Sequence, residues 1–161
     1  MYLLVIVIVI SLLALVFAGY LTKQILKKDT GTPGMQEIAN AIQIGSEAFV
    51  KRQYMTIGVL TIVLTIIIYL IYFYIGKTDL GWRTSISFLL GAISSAVAGI
   101  VGMWVSIRAN IRTSSSARRS LGEAFLVALR GGAVTGIVIV SMSLLGVSLI
   151  YYLFSIGIDA K

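Results

Sequence analysis

Cysteine and histidine are both absent from the 161 residues. Without cysteine there is no disulfide framework, no thiol redox couple and no thiolate ligand for a metal. Without histidine there is no imidazole ligand and no His-based acid–base catalysis. Proline occurs once, at Pro33. Charge is scarce: Asp, Glu, Lys and Arg make up 12% of the chain, about half the share of an ordinary soluble domain. Acid is scarcer still, with 6 Asp and Glu against 13 Lys and Arg, for a net charge of +7. A soluble domain needs a charged exterior, so an ordinary soluble enzyme, a disordered tail and a disulfide scaffold are excluded.

What is present is apolar. Hydrophobic residues make up 58% of the chain and its mean hydropathy is +1.01. Four stretches reach the roughly 20 apolar residues that a helix needs to cross a bilayer. They run from Tyr2 to Leu21, Tyr54 to Gly76, Thr84 to Ile107 and Gly131 to Gly157. Charges flank them at Lys23, Lys51 with Arg52, Lys77, Arg83, Arg108, Arg130 and Asp159. The pattern predicts an all-α, polytopic membrane protein: a single membrane domain over 1–161 with four long transmembrane helices. The connections 22–53 and 108–130 are expected to be cytoplasmic helical extensions. The first span is read as retained. Its n-region carries no positive charge, and Phe17-Ala18-Gly19-Tyr20 is a poor cleavage site.

Orientation follows from the basic residues. Lys23, Lys27, Lys28, Lys51 and Arg52 lie in the first long connection; Arg108, Arg112, Arg118, Arg119 and Arg130 lie in the second. Only Lys77, Arg83 and Lys161 fall elsewhere. Both connections are therefore expected in the cytoplasm and both termini outside, with the cell membrane as the location. This bias also explains the net charge more simply than nucleic-acid binding, so no nucleic-acid partner is expected. Tyr2, Tyr72, Phe73, Tyr74, Trp82, Tyr151 and Tyr152 fall near the outer interface, and Tyr20, Tyr54 and Trp104 near the inner one. Amphipathic rings anchor at that depth.

The connections read as helix. Thr32 can cap and Pro33 can open a helix. Met35, Ile38, Ile42, Gly45 and Phe49 then recur at spacings of three and four, an apolar stripe. No breaker separates this helix from the second span. In the second connection, Thr113 to Ser116 reads as a polar break, followed by Leu121, Ala124, Phe125 and Ala128 on one face. Both stripes are expected to dock on other projecting helices rather than lie on the membrane surface. Within the bilayer, small residues allow close helix approach. The expected packing residues are Ser87, Gly91, Ser95, Gly99 and Gly102 on the third span and Gly132 and Gly136 on the fourth. The first two spans, rich in Ile, Leu and Val, are expected to face lipid.

Chemistry is sparse. No Asp, Glu, Lys, Arg or His lies inside a span, so the usual carriers of an intramembrane ion relay are missing. The cytoplasmic acids Asp29, Glu37, Glu47 and Glu123 are dispersed, and no phosphate loop or nucleophile constellation is visible. No catalytic, cofactor-binding or metal residue is assigned. Arg108 with Arg112, and Arg118 with Arg119, carry the charge to hold a phosphate. Together with Arg130 they are read first as topology-setting arginines, which need no ligand.

Three blocks, taken in order, carry a family resemblance. They are GTPGMQEIANAIQIGSEAFVKRQY from Gly31 to Tyr54, FLLGAISSAVAGIVGMWVSIRANIRT from Phe88 to Thr113, and ALRGGAVTGIVIVSMSLLG from Ala128 to Gly146. The chain resembles the N-terminal portion of the membrane-integral, ion-pumping inorganic pyrophosphatases. The resemblance implies a homodimeric pump that hydrolyses Mg-pyrophosphate at the cytoplasmic face and moves H⁺ or Na⁺ outward. It implies Mg²⁺ for the complete enzyme, with none bound by this chain alone. It also implies that these helices form an outer ring bracing later helices, which hold the acidic substrate motifs and the ion gate. The partners implied are the bilayer, those later helices and a second copy. Two other readings compete: a non-enzymatic four-helix membrane scaffold, and one half of a dimeric small-solute transporter.

Overall fold

The computed structural model describes residues 2–155. They form four helices: α1 (Tyr2–Leu26), α2 (Pro33–Tyr74), α3 (Thr78–Ala117) and α4 (Leu121–Ser155). All four are long and apolar enough to cross a membrane. The expected end of the fourth span at Gly157, and Asp159 and Lys161 beyond it, lie outside the described residues.

Helix α2 begins where its capping chemistry places it. Thr32 is extended, and its hydroxyl accepts from the Met35 N–H at 3.4 Å. The helix then runs 42 residues without interruption, about 63 Å at 1.5 Å per residue. It stops at Gly76, whose φ of +77° is the left-handed conformation that glycine adopts freely. The Gly76 and Lys77 N–H groups return to Phe73 and Tyr72 carbonyls, each at 3.0 Å. Helix α3 doubles back at once. Gly81 passes so close to α2 that a Cβ there would lie 2.8 Å from Tyr72 Cβ.

The expected polar break at Thr113 to Ser116 is helical. Helix α3 continues to Ala117, and the turn falls at Arg118 to Ser120. The hydroxyls here are accommodated without breaking the helix. Thr113 donates back to the Ala109 carbonyl at 3.0 Å, Ser115 donates to Asp29 at 2.9 Å, and Ser116 is buried.

The helices stand in an open row, α2 beside α3, α3 beside α4, α4 beside α1, with α1 also making a smaller contact with α3. Helices α1 and α2 are consecutive in sequence yet do not touch. The core lies where α1, α3 and α4 meet: Ala18 and Ile25 from α1, Ala98, Val105 and Ala109 from α3, and Val127, Val134 and Val138 from α4. On α4 the buried positions are Ala124, Val127, Gly131, Val134, Val138, Ser141 and Ser148. On α3 a run of buried positions, Ala98, Gly102, Val105, Ala109 and Ser116, lies along the same line, with Gly81, Ser85 and Ser115 buried besides. Both sets follow a seven-residue repeat, the pattern of left-handed helix packing.

That repeat moves the seam away from the expected stripe. Residues spaced every four advance about 40° per step around a helix of 3.6 residues per turn, so Ser87, Gly91, Ser95 and Gly99 spiral off a straight contact line. Gly91 and Ser95 are exposed. Gly99 has turned towards α2, where a Cβ would overlap the Tyr54 hydroxyl. Only Gly102 sits in the α3–α4 seam, where a Cβ would lie 2.9 Å from Thr135 Cγ2. Gly132 and Gly136 are exposed, with nothing within 4 Å of an added Cβ. On α4 it is Gly131 that meets α3, its Cβ position 3.0 Å from Ala109 Cβ.

The stripes of the connections are displaced in the same way. Helix α2 meets α3 through Met35, Ala39, Gln43, Ser46, Val50 and Tyr54, which are half-buried. Ile38 and Phe49 stand on an adjacent face and remain 66% and 61% exposed. On α4, Ala124 is buried while Leu121, Phe125 and Ala128 are exposed.

Candidate functional site

The densest polar arrangement lies at the basic end of the row, where the C-terminus of α1 meets the α3–α4 turn. Lys27, Lys28 and Asp29 follow directly on the end of α1 at Leu26, and α4 begins shortly after Arg119. Folding brings these segments together. Lys28 Nζ donates to Glu123 Oε1 at 2.9 Å. Arg119 spans both carboxylates, reaching Glu123 Oε2 at 3.2 Å and Asp29 Oδ2 at 3.4 Å. Ser115, buried under the junction, donates to the same Asp29 oxygen. Arg112 donates through Nη2 to the Leu26 carbonyl at 3.2 Å, closing the end of α1. The hydrogen bond from Ser115, then backbone and Arg119 contacts, hold the Asp29 carboxyl below its ordinary range. Lys28 and then Arg119 do the same for Glu123.

Of the five arginines singled out in the sequence, two enter this junction: Arg112 and Arg119. Arg108 lies over the Trp104 ring at 4.0 Å and donates to the Trp104 carbonyl at 3.2 Å. Arg118 is exposed at the end of α3, and Arg130 is half-buried on α4. The pairing of Arg118 with Arg119 as one phosphate clamp is therefore not formed, because Arg119 is already shared between two carboxylates. The junction itself went unread in the sequence. Its signal was the Lys28-Asp29 dipeptide set against Arg119 and Glu123, which are complementary charges at an i,i+4 spacing.

The second feature is a cleft of about 440 Å³ between α3 and α4, away from the basic end. Gly91, Ser95, Gly99, Ser143 and Gly146 line it, together with Tyr54 from α2. Most of the expected small-residue stripe thus borders an open groove. At the opposite end of the row, Trp82 meets Phe154 edge-on at 5.5 Å and Arg83 lies within 5.7 Å of both rings.

The residues present do not fit the Mg²⁺ that the resemblance implies. Among the described residues, no three side chains of the metal-binding types lie together. The two acids that do approach one another, Asp29 and Glu123, are each neutralised by Arg119. A Mg²⁺-phosphate site needs carboxylates left free for the metal.

Comparison with known proteins agrees with the resemblance. The model of the family described as inorganic H+ pyrophosphatase matches residues 12–161. The chain is 45% identical to a K(+)-insensitive pyrophosphate-energized proton pump of Methanosarcina mazei, over 89% of this chain and 21% of that protein. It is 40% identical to pyrophosphate-energized membrane proton pump 3 of Arabidopsis thaliana, over 95% of this chain and 20% of the relative. A K(+)-insensitive pyrophosphate-energized proton pump of Chloroflexus aurantiacus is 34% identical over 94% of this chain. The chain spans about a fifth of the length of these relatives and matches their N-terminal part.

Proposed function

The chain belongs to the inorganic H+ pyrophosphatase family, and from that premise we propose that it supplies bracing helices to a pyrophosphate-energised proton pump. The observation that carries this reading is the contrast between its spans and its basic end. No ionisable side chain lies in the cores of the four spans, so the chain has no relay for an ion. Its charges are instead used to lock α1 to the α3–α4 turn. A helix set built in this way holds shape; it does not conduct.

The remaining parts of the pump supply the Mg-pyrophosphate site and the ion path. The exposed small-residue cleft and the exposed faces at Phe49 and Phe125 receive those helices, and two copies of the pump pair as a homodimer. The basic end faces the cytoplasm of a cell membrane and both termini face out, because that end holds ten of the 13 basic residues. Protons rather than sodium are the proposed cargo, without a potassium requirement, since several relatives carry those words in their names.

The test is complementation. The 161-residue chain alone, reconstituted in liposomes, is expected to show no Mg-dependent release of phosphate from pyrophosphate and no ion transport. Co-expression with the later helices of a relative is expected to restore both. Activity of the chain alone would overturn the bracing role. Failure to associate with those helices would favour a free-standing membrane scaffold.

A further inference from the structure

A separate polar cleft of about 280 Å³ lies between the end of α1, the first turns of α2 and the basic end of α3. Thr30, Gln36, Asn40 and Gln43 form one wall, and Arg108 and Arg112 form the other. The lining holds two guanidinium groups and no carboxylate. Neither arginine has an ion-pair partner among the described residues. Their hydrogen bonds go to backbone carbonyls of Trp104, Arg108 and Leu26, which carry no net charge. Arg112 Nε is buried without any partner. Asp29 is engaged by Ser115 and Arg119, and Glu47, which accepts from Gln43 at 2.8 Å, borders Arg108 from a different pocket. Burial, and then the charge of Arg108, both work against the Arg112 cation. Within the lining of the cleft the two positive charges are therefore uncompensated.

We propose that this cleft binds one phosphate group, presented by an anionic phospholipid of the adjoining leaflet. Inorganic phosphate shares the same chemistry and is the competing source. Guanidinium groups match phosphate oxygens in a two-pronged geometry that a lone ammonium lacks. The volume is below the roughly 300 Å³ at which pockets begin to hold drug-sized ligands, which suits a headgroup. Depth favours the lipid. Arg108 closes the third span, and Arg112 lies one turn further, about 6 Å along the axis. The polar layer on each side of the hydrocarbon is roughly 5–8 Å thick. Trp104, under Arg108, is the kind of ring that sits at that depth. Basic pockets between membrane helices hold anionic headgroups in this way. The proposal rests on the cleft alone and is independent of the pump reading.

The test uses the chain in vesicles of phosphatidylcholine, of phosphatidylcholine with phosphatidylglycerol, and of phosphatidylcholine with inorganic phosphate in the buffer. Trp104 emission, read in a Trp82→Phe background, reports on the cleft, and the thermal midpoint reports on stability. Phosphatidylglycerol is expected to shift the emission and raise the midpoint. Asn40→Asp, at an exposed helical position, places a carboxylate opposite both arginines. It is expected to weaken the phosphatidylglycerol response at least tenfold while leaving the midpoint in pure phosphatidylcholine equal or higher. Arg108→Gln is expected to weaken the response likewise, and Arg118→Gln, an equal loss of charge outside the cleft, to keep it. A response to inorganic phosphate as strong as that to phosphatidylglycerol would overturn the lipid source. Absence of both responses, or full retention by Asn40→Asp, would overturn the site.

Discussion

Arg119 reaches Asp29 across the gap to α1 and Glu123 within its own turn, so its charge is divided between two carboxylates. Glu123 in turn holds Lys28. Glu123→Gln removes the ion-pair partner of Lys28 and one of the two partners of Arg119. The expected outcome is faster amide exchange at the end of α1 and a modest fall in thermal midpoint, since exposed ion pairs contribute little individually. Exchanging the charges, Lys28→Glu with Glu123→Lys, is expected to recover only the Lys28 bond, because the new lysine also faces Arg119. The same acids set a pH dependence. Their folded pKa values lie below the ordinary 3.8 of Asp29 and 4.5 of Glu123. Their contribution is therefore complete above those ordinary values and is lost as pH falls through the lower folded ones. Exchange at the junction, corrected for intrinsic rate, is expected to stay flat from neutrality to about pH 5 and to rise only in stronger acid. Protection that weakened between neutrality and pH 5 would contradict this. The residue types of the junction were visible in the sequence, but their meeting was not. Nothing local says that Asp29 and Ser115, far apart in the chain, share a hydrogen bond.

At the scale of the helices, existence and length were legible and facing was not. Thr32, Pro33 and Gly76 mark the limits of α2 through capping and left-handed geometry, which act locally. Which face packs depends on the partner helix, and small residues are too frequent here to point to one side. Gly102 and Gly136 separate the two cases. At Gly102 even a methyl group presses on Thr135, whose branched side chain is stiff in a helix. Gly102→Leu is expected to cost about 1–3 kcal/mol through overpacking. Gly136→Ala meets nothing within 4 Å and is expected to be neutral or to gain up to about 1 kcal/mol of helix propensity. Thermal unfolding in one detergent compares the two; an equal loss would mean that the seam lies elsewhere. Gly99→Ala falls between them, because the Tyr54 hydroxyl it displaces ends a side chain that can swing. Phe49→Glu, on the face of α2 turned away from α3, is expected to leave the chain's own midpoint unchanged and to abolish copurification with the later helices.

The molecule as a whole is an open row in which α1, α3 and α4 share a core and α2 lies along the outside of α3. The sequence showed four membrane spans through their hydropathy, and its basic bias carries the polarity proposed above. It could not show that α1 bypasses α2 to lie on α4, since both helices offer long runs of Ile, Leu and Val. The polarity has a direct check. Ser120 and Lys77 are exposed at opposite ends of the row, whereas Ser115 is buried and would make a poor reporter. An impermeant thiol reagent added to intact cells is expected to label Lys77→Cys and to spare Ser120→Cys until the membrane is opened. The reverse pattern would invert the topology.

Helix α2 touches only α3, and its half near Pro33 stands beside that one neighbour well past the hydrocarbon. An unbroken helix of this length is stiff, so it behaves as a pointer whose angle is set inside the bilayer. A tilt of about 5° at the membrane end displaces the far end by roughly 5 Å, given 1.5 Å of rise per residue.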